Sequence, residues 1–390
     1  MTEPRPSLAT IFGGFLRLGL TAFGGPAMIP AIRRYAVEEK KWLPGAQFKV
    51  GVALGQVIPG ATAMQVAAYV GLKARGLPGA LAAYTGFGLP AFLLITALSA
   101  VYSRTHNAAG LAATFAGLKV VVVALITSAA IDASQRYAQR LPEKLLALAA
   151  GLMLGFGLDP LLAILGGCAV AMLLFRDAAQ HVASPGLASP AQNIRVHYAW
   201  LAGLTLCLAA GLACLFAVDR VSFDLATLML RIDLFAFGGG YVSVPLMLHE
   251  VVEVRGWMDL PTFMDGIALG QVTPGPIVMT AAFVGYLQAG LPAALVATVS
   301  VFAPSFLLLA ATAPCVEAVL GSVLVQRALH GSLATLVGLL AAISGRFGLA
   351  MDWSPAAALL AAAAFVALRA GANIFWVVLA GGGLGFLLLR

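Results

Sequence analysis

Ala22-Phe23-Gly24-Gly25-Pro26 and Ala236-Phe237-Gly238-Gly239-Gly240 are one stretch written twice in the same chain. Downstream of each comes a second matched pair, Gly55-Gln56-Val57-Ile58-Pro59-Gly60 and Gly270-Gln271-Val272-Thr273-Pro274-Gly275. Every cluster sits inside an apolar run. Proline there removes a backbone donor and glycine loosens the backbone. Broken backbone at membrane depth survives only when it is buried in protein or lines a polar cavity. Interrupted apolar segments at matching positions of two halves point to a transporter binding site.

The chain around these breaks has 390 residues, 61% hydrophobic and 10% charged. That leaves too little charge for a soluble surface. Apolar runs near or above the ~20 residues needed to cross a bilayer imply a polytopic α-helical membrane protein. A β-barrel is excluded because the runs are continuous rather than alternating. The formal charge of +7 lies mainly in loops. It therefore reads as membrane topology with some attraction for anions, and no nucleic-acid partner is expected. Cys168, Cys207, Cys214 and Cys315 lie in apolar runs without metal spacing and read as inert thiols. His106, His181, His197, His249 and His330 are scattered, so no metal is expected. No Walker motif is present, so neither ATP nor any other cofactor is expected. The polar start, Met1 to Ser7, does not have the form of a cleavable signal.

The duplication extends beyond the breaks. Arg17 aligns with Arg231, Trp42 with Trp257, and Gly76-Leu77-Pro78 with Gly290-Leu291-Pro292. Pro90-Ala91-Phe92-Leu93 aligns with Pro304-Ser305-Phe306-Leu307, at an offset of 214 or 215 throughout. Past Ala100 and Pro314 the match fades. Residues 1–176 are thus expected to form an N-terminal repeat, 177–221 a linker with one connecting span, and 222–390 a C-terminal repeat.

Loop charge sets the orientation of the halves. The loop after the first break carries Arg33, Arg34, Lys40, Lys41 and Lys49, whereas its counterpart has only Arg255. Cations accumulate on the cytoplasmic side, so the halves are expected to be inverted. The basic positions on both sides of Val50–Leu72 can share that side only if this run enters and leaves by one face. Re-entrant hairpins broken at Gly or Pro are therefore expected, with kinked crossing helices as the alternative. The expected fold is an all-α integral membrane protein made of two inverted homologous halves with re-entrant or broken helices.

Phe-Gly-Gly-Pro after Arg17-Leu18-Gly19, the Gly-Gln-x-x-Pro-Gly motifs, the tryptophan after the first loop and their duplication resemble the chromate ion transporter (CHR) family, in its long-chain two-domain form. The resemblance implies a multi-pass inner-membrane carrier that exports chromate, a tetrahedral dianion shaped like sulfate, and confers chromate resistance. It implies no enzymatic activity. Gly240 replaces Pro26, and Gly275-Pro276 stands against Gly60-Ala61, so the halves are not chemically equal.

The residues fit an anion site. Arg17 and Arg231 each precede the Phe of a Phe-Gly-Gly motif by six residues. Intramembrane cations usually face the interior, and guanidinium offers a planar donor fork to an oxyanion. The alternative is a snorkelling interfacial anchor. Asp233 reads first as the ion-pair partner of Arg231 and second as a proton carrier. Phe23, Gly24, Gly25, Pro59, Gly60, Phe237, Gly238, Gly239, Pro274 and Gly275 form the tips, whose bare N–H groups and helix starts suit an anion. Gln56 and Gln271 are neutral donors beside them, with helix-to-helix bonding as the alternative. Thr62, Thr273 and Thr280 are weaker candidates. Lys119 reads as a snorkelling cation, and Trp42 and Trp257 as interface anchors. A sulfate or other oxyanion carrier stays open, as do a membrane enzyme, a lipid flippase and a homo-oligomer in the bilayer.

Overall fold

The structure is a computed structural model that describes residues 6–21, 28–105, 109–174 and 194–389. Phe23, Gly24, Gly25 and Pro26 lie outside the described residues. Among the described residues the protein is all-α, with no strand. In the first half, α1 (Leu8–Thr21) is followed by α2 (Met28–Arg33), which runs into a π-turn at Arg34–Glu39. Next come α3 (Gly45–Val57), α4 (Thr62–Thr105), α5 (Ala109–Tyr137), α6 (Leu141–Gly155) and α7 (Pro160–Leu174). The connecting helix is α8 (Ile194–Val218).

The second half repeats the order. It contains α9 (Arg220–Leu234), α10 (Ser243–Met247) with a π-turn at Leu248–Val254, α11 (Leu260–Val272), α12 (Thr280–Thr312) and a short α13 (Val316–Gly321). Helices α14 (Val323–Leu349), α15 (Pro355–Arg369) and α16 (Ile374–Leu388) complete it.

Two of the expected hairpins, those broken at Pro59-Gly60 and Pro274-Gly275, lie within the described residues and are present. Gly51 packs against the Tyr69 ring and Gly55 against Gln65, so α3 and the start of α4 run antiparallel around the break at Pro59-Gly60. The second half does the same, with Gly266 against Phe283 and Gly270 against Thr280 around Pro274-Gly275. Helices α4 and α12 then double back. Arg75 and Gly76 have φ/ψ of −150/30° and 67/−162°, and Ala289 and Gly290 have −150/32° and 72/−155°. At each turn the helix packs on itself, Gly71 on the Gly79 carbonyl and Gly285 on that of Ala293. Only the longer second arms, Leu77–Thr105 and Leu291–Thr312, continue through the body.

Finer backbone detail is also copied. Trp42 N–H donates to Ala36 O, and Trp257 N–H to Val251 O, both at 2.8 Å. Lys41 and Gly256, each closing a π-turn, have φ of 52° and 58°. Trp42 is half-buried between Phe15 and Tyr35, more an internal wedge than a free interface anchor.

The repeat continues where the sequence match fades. Helices α5, α6 and α7 begin at Ala109, Leu141 and Pro160, and α14, α15 and α16 begin at Val323, Pro355 and Ile374, 214 residues later in each case. The halves interlock through these elements: α6 and α7 pack on α14, while α15 and α16 pack on α5.

Among the described residues, five helical stretches are long and apolar enough to cross a membrane: Thr62–Thr105, Ala112–Tyr137, Ile194–Val218, Ile277–Gly321 and Val323–Leu349. The α4 turn meets the start of the chain, where Arg75 Nη1 donates to Pro6 O at 2.8 Å. The far end of α4 meets the base of the second hairpin, where Tyr102 O–H donates to Asp265 Oδ2 at 2.9 Å. Helices α6 and α7 form a pair that begins and ends beside the start of α14, through Glu143–His330 and Arg327–Met172 O. The second arm of α4 therefore runs from the base of the first hairpin to the base of the second. The two hairpins open from opposite faces, and the repeats are inverted.

Candidate functional site

Among the described residues, the breaks at Pro59-Gly60, Gly238-Gly239 and Pro274-Gly275 meet across the halves. Gly60 N–H donates to Ala236 O at 2.9 Å, joining the first half's Pro59-Gly60 tip to the break after α9. Gly60 has φ of +109°, and a Cβ there would lie 2.4 Å from Ser305 Cβ of α12. Only glycine meets both demands. The mirror contact brings Gly275 against Ala91 of α4, with a Cβ–Cβ distance of 2.6 Å if a side chain were added. Gly238 and Gly239 take φ of +93° and +107°, which carries the backbone past the start of α4 at Thr62. Gly240 then packs on Ile277 and Val278 beside the second tip. Phe237 is half-buried in this turn, and Pro59 and Pro274 are buried.

Asp233 is fully buried in the last turn of α9. Its Oδ2 accepts the Ser305 N–H at 2.7 Å. It does not pair with Arg231, which corrects the first reading of that residue. A step of two along a helix places the two side chains on opposite faces. Arg231 instead binds Asp159 Oδ2 at 2.9 Å and Glu250 Oε1 at 3.1 Å. Arg255 also reaches Glu250, at 3.5 Å. Two carboxylates already balance the Arg231 guanidinium.

Arg17 is placed differently. It is exposed on α1 and lines a cleft of about 250 Å³ together with Thr21, Arg34, Tyr35 and Glu39. Arg34 Nε holds Glu39 at 3.0 Å. Among the described residues, no carboxylate forms an ion pair with Arg17. The position matching Glu250 in the first half is Tyr35, which supplies no carboxylate.

Gln56 is exposed at the end of α3, and Gln271 is half-buried at the end of α11. Thr273 and Thr280 bond local carbonyls, Gly270 O and Ile277 O, both at 2.8 Å. The polar residues that join the centre are others. Gln65 is fully buried and donates to Pro59 O at 2.6 Å, bracing the tip from behind. Tyr84 O–H donates to Phe302 O at 2.9 Å and lies 3.2 Å from Ser305 Oγ, bridging the halves. The signal for Gln65 was a lone amide inside the apolar stretch Ala61–Val70. The signal for Ser305 was its mismatch with Ala91. Among the described residues, no group of three or more His, Cys, Asp or Glu could hold a metal ion.

Inverted halves, broken hairpins meeting across the repeat axis and a cationic cleft beside one of them define a multi-pass membrane protein of the inverted-repeat transporter class. The family model for chromate transporters matches residues 9–173 and 223–386, one match per half, and the chain belongs to that family. It is 40% identical over 384 residues to an uncharacterized transporter from Methanocaldococcus jannaschii, covering 98% of this chain and 95% of that one. It is 32% identical over 362 residues to a chromate transport protein from Pseudomonas aeruginosa, covering 87% and 80%. It is 29% identical over 368 residues to a probable chromate transport protein from Synechococcus elongatus, covering 88% and 91%. No solved structure matches the chain.

Proposed function

We propose that the protein is a secondary carrier that exports chromate from the cytoplasm across the inner membrane and so confers chromate resistance, driven by the proton gradient. Two relatives that align along most of its length carry chromate transport in their names. The observation that carries the reading is the Gly60–Ala236 contact, which couples a hairpin tip of one half to the broken helix of the other. Relative movement of inverted repeats around such a joint is what alternating access requires.

Arg17 is the guanidinium best placed to receive an oxyanion, because Arg231 is already neutralised by Asp159 and Glu250. The remaining substrate-side groups are the tips: Phe23, Gly24 and Gly25 from the first break, Phe237, Gly238 and Gly239 from its counterpart, and Gln56 and Gln271 beside the Pro-Gly turns. A proton gradient is the proposed drive because the sequence has no nucleotide-binding motif and the core holds a carboxylate, Asp233, without a cation. The test is chromate uptake into everted membrane vesicles with an imposed pH gradient, with sulfate as competitor. Gradient-dependent uptake that sulfate competes for weakly is expected. Uptake of sulfate in preference to chromate would make this a sulfate carrier, and no uptake of either would refute the reading.

A further inference from the structure

The two joints between the halves are built alike and filled differently. At one, Gly60 meets Ser305 and Asp233; at the other, Gly275 meets Ala91, and the position matching Asp233 is Gly19. One joint therefore carries a carboxylate and a hydroxyl, and its mirror carries neither.

Asp233 is fully buried, and its Oδ1 has no hydrogen-bond partner among the described residues. That oxygen lies against the tip: a Cβ on Gly60 would sit 2.9 Å from it. Among the described residues, the surrounding elements bring no cation to it. From α12 it meets Ser305, and from α4 Tyr84 reaches Ser305. On its own helix Arg231 is held by Asp159 and by Glu250 of the π-turn. The buried histidine of α8, His197, bonds Ala310 O. An isolated carboxylate charge in such a place is very costly, and a proton removes it. A proton on Oδ1 leaves Oδ2 free to go on accepting the Ser305 N–H. An alkali ion would need several oxygens to replace its hydration shell, and the joint offers one bare oxygen and a hydroxyl already bonded to Tyr84 and Phe302.

We infer that Asp233 Oδ1 binds the coupling proton, one per cycle, and that its occupancy decides whether the Pro59-Gly60 tip stays seated on α9 and α12. The inference rests on the proton-coupled reading and adds to it a single asymmetric site. The step is one of binding alone: a proton from water joins Oδ1, and it returns to water on the other face when the tip lifts. The ratio of one follows from Gly19 and Ala91, which give the mirror joint no acceptor of this kind.

The test uses purified full-length protein in proteoliposomes. Wild type is expected to accumulate chromate under a pH gradient and to ignore a sodium gradient. Asp233→Asn is expected to lose gradient-driven accumulation far more completely than chromate–chromate exchange. Infrared spectra of wild type, with and without carboxyl-labelled aspartate, cover the case in which that variant fails to fold. They should contain a protonated-carboxyl band that shifts with the label and bleaches as pH rises. Accumulation that survives in Asp233→Asn, absence of the band, or drive by sodium would overturn the site. A wild type indifferent to the pH gradient would refute proton coupling itself, a result distinguishable because it appears before any substitution.

Discussion

Gly60 N–H lies 2.9 Å from the carbonyl oxygen of Ala236, so the tip of one inverted half is hydrogen-bonded to the broken helix of the other. Breaks in isolated helices leave backbone groups without partners, which hydrocarbon does not tolerate. Here one break supplies part of the other's missing bonding. Each half is thus incomplete alone at its most strained point. The interlocked packing of α6 and α7 on α14, and of α15 and α16 on α5, holds the frame around the joint.

The two arginines are expected to fail in different ways. Arg231→Gln leaves Asp159 and Glu250 without their shared cation. Its side chain keeps 42% exposure, so the loss is discounted for solvent. A drop of about 1–2 kcal/mol in stability is expected, read as a lower melting temperature in detergent. Adding Glu250→Gln should restore part of it. Arg17→Gln should melt like wild type and raise the apparent chromate KM by about tenfold, the effect of ~1.4 kcal/mol of lost binding. Arg17→Lys should rescue only in part, because a point charge replaces the fork. Equal melting shifts for both Gln variants would contradict this division.

Glu143 joins three elements. Its carboxylate accepts the N–H groups of Gln139 and Arg140 at 2.8 and 2.9 Å and meets His330 Nε2 of α14 at 2.8 Å. Glu143→Ala is expected to cost about 1–3 kcal/mol, because three hydrogen bonds to one buried carboxylate are lost together. Thermal unfolding of the purified variant measures it. An unchanged midpoint would mean that the α5–α6 corner is held by apolar packing alone.

The inversion predicts opposite labelling. In a cysteine-free background, Lys40→Cys, just after the first π-turn, and Val254→Cys, at the end of the second, both lie on exposed positions. A membrane-impermeant maleimide applied to intact cells should modify one of them, and applied to everted vesicles it should modify the other. Modification of both from the same side would require an even number of crossings between them.

Much of the fold was legible because glycine and proline cannot be exchanged freely where the backbone must break. The motifs around Gly60 and Gly275 thus kept their spacing, and loop cations marked the faces. The correspondence of α5–α7 with α14–α16 was not legible. Helices that present side chains to lipid accept almost any apolar residue, so the matched starts at Ala109 and Val323 survive in structure alone. The site was legible in outline only. Asp233 stands two residues from Arg231, and proximity in sequence suggested a pair. The true partners of Arg231 are Glu250 and Asp159, the latter 72 residues away, brought together only by packing. Gln56 stands in the repeated motif and Gln65 does not, although Gln65 is the one that braces the tip.

The most direct test of the cross-half joint is chromate flux by Gly60→Leu in proteoliposomes beside wild type. A leucine must adopt φ of +109° and occupy space already held by Ser305 and Asp233. The account predicts that the variant inserts, elutes as a folded protein and moves no chromate above empty vesicles, while wild type does. A folded Gly60→Leu protein with wild-type flux would show that the tip need not seat on the opposite half, and would contradict the account at its centre.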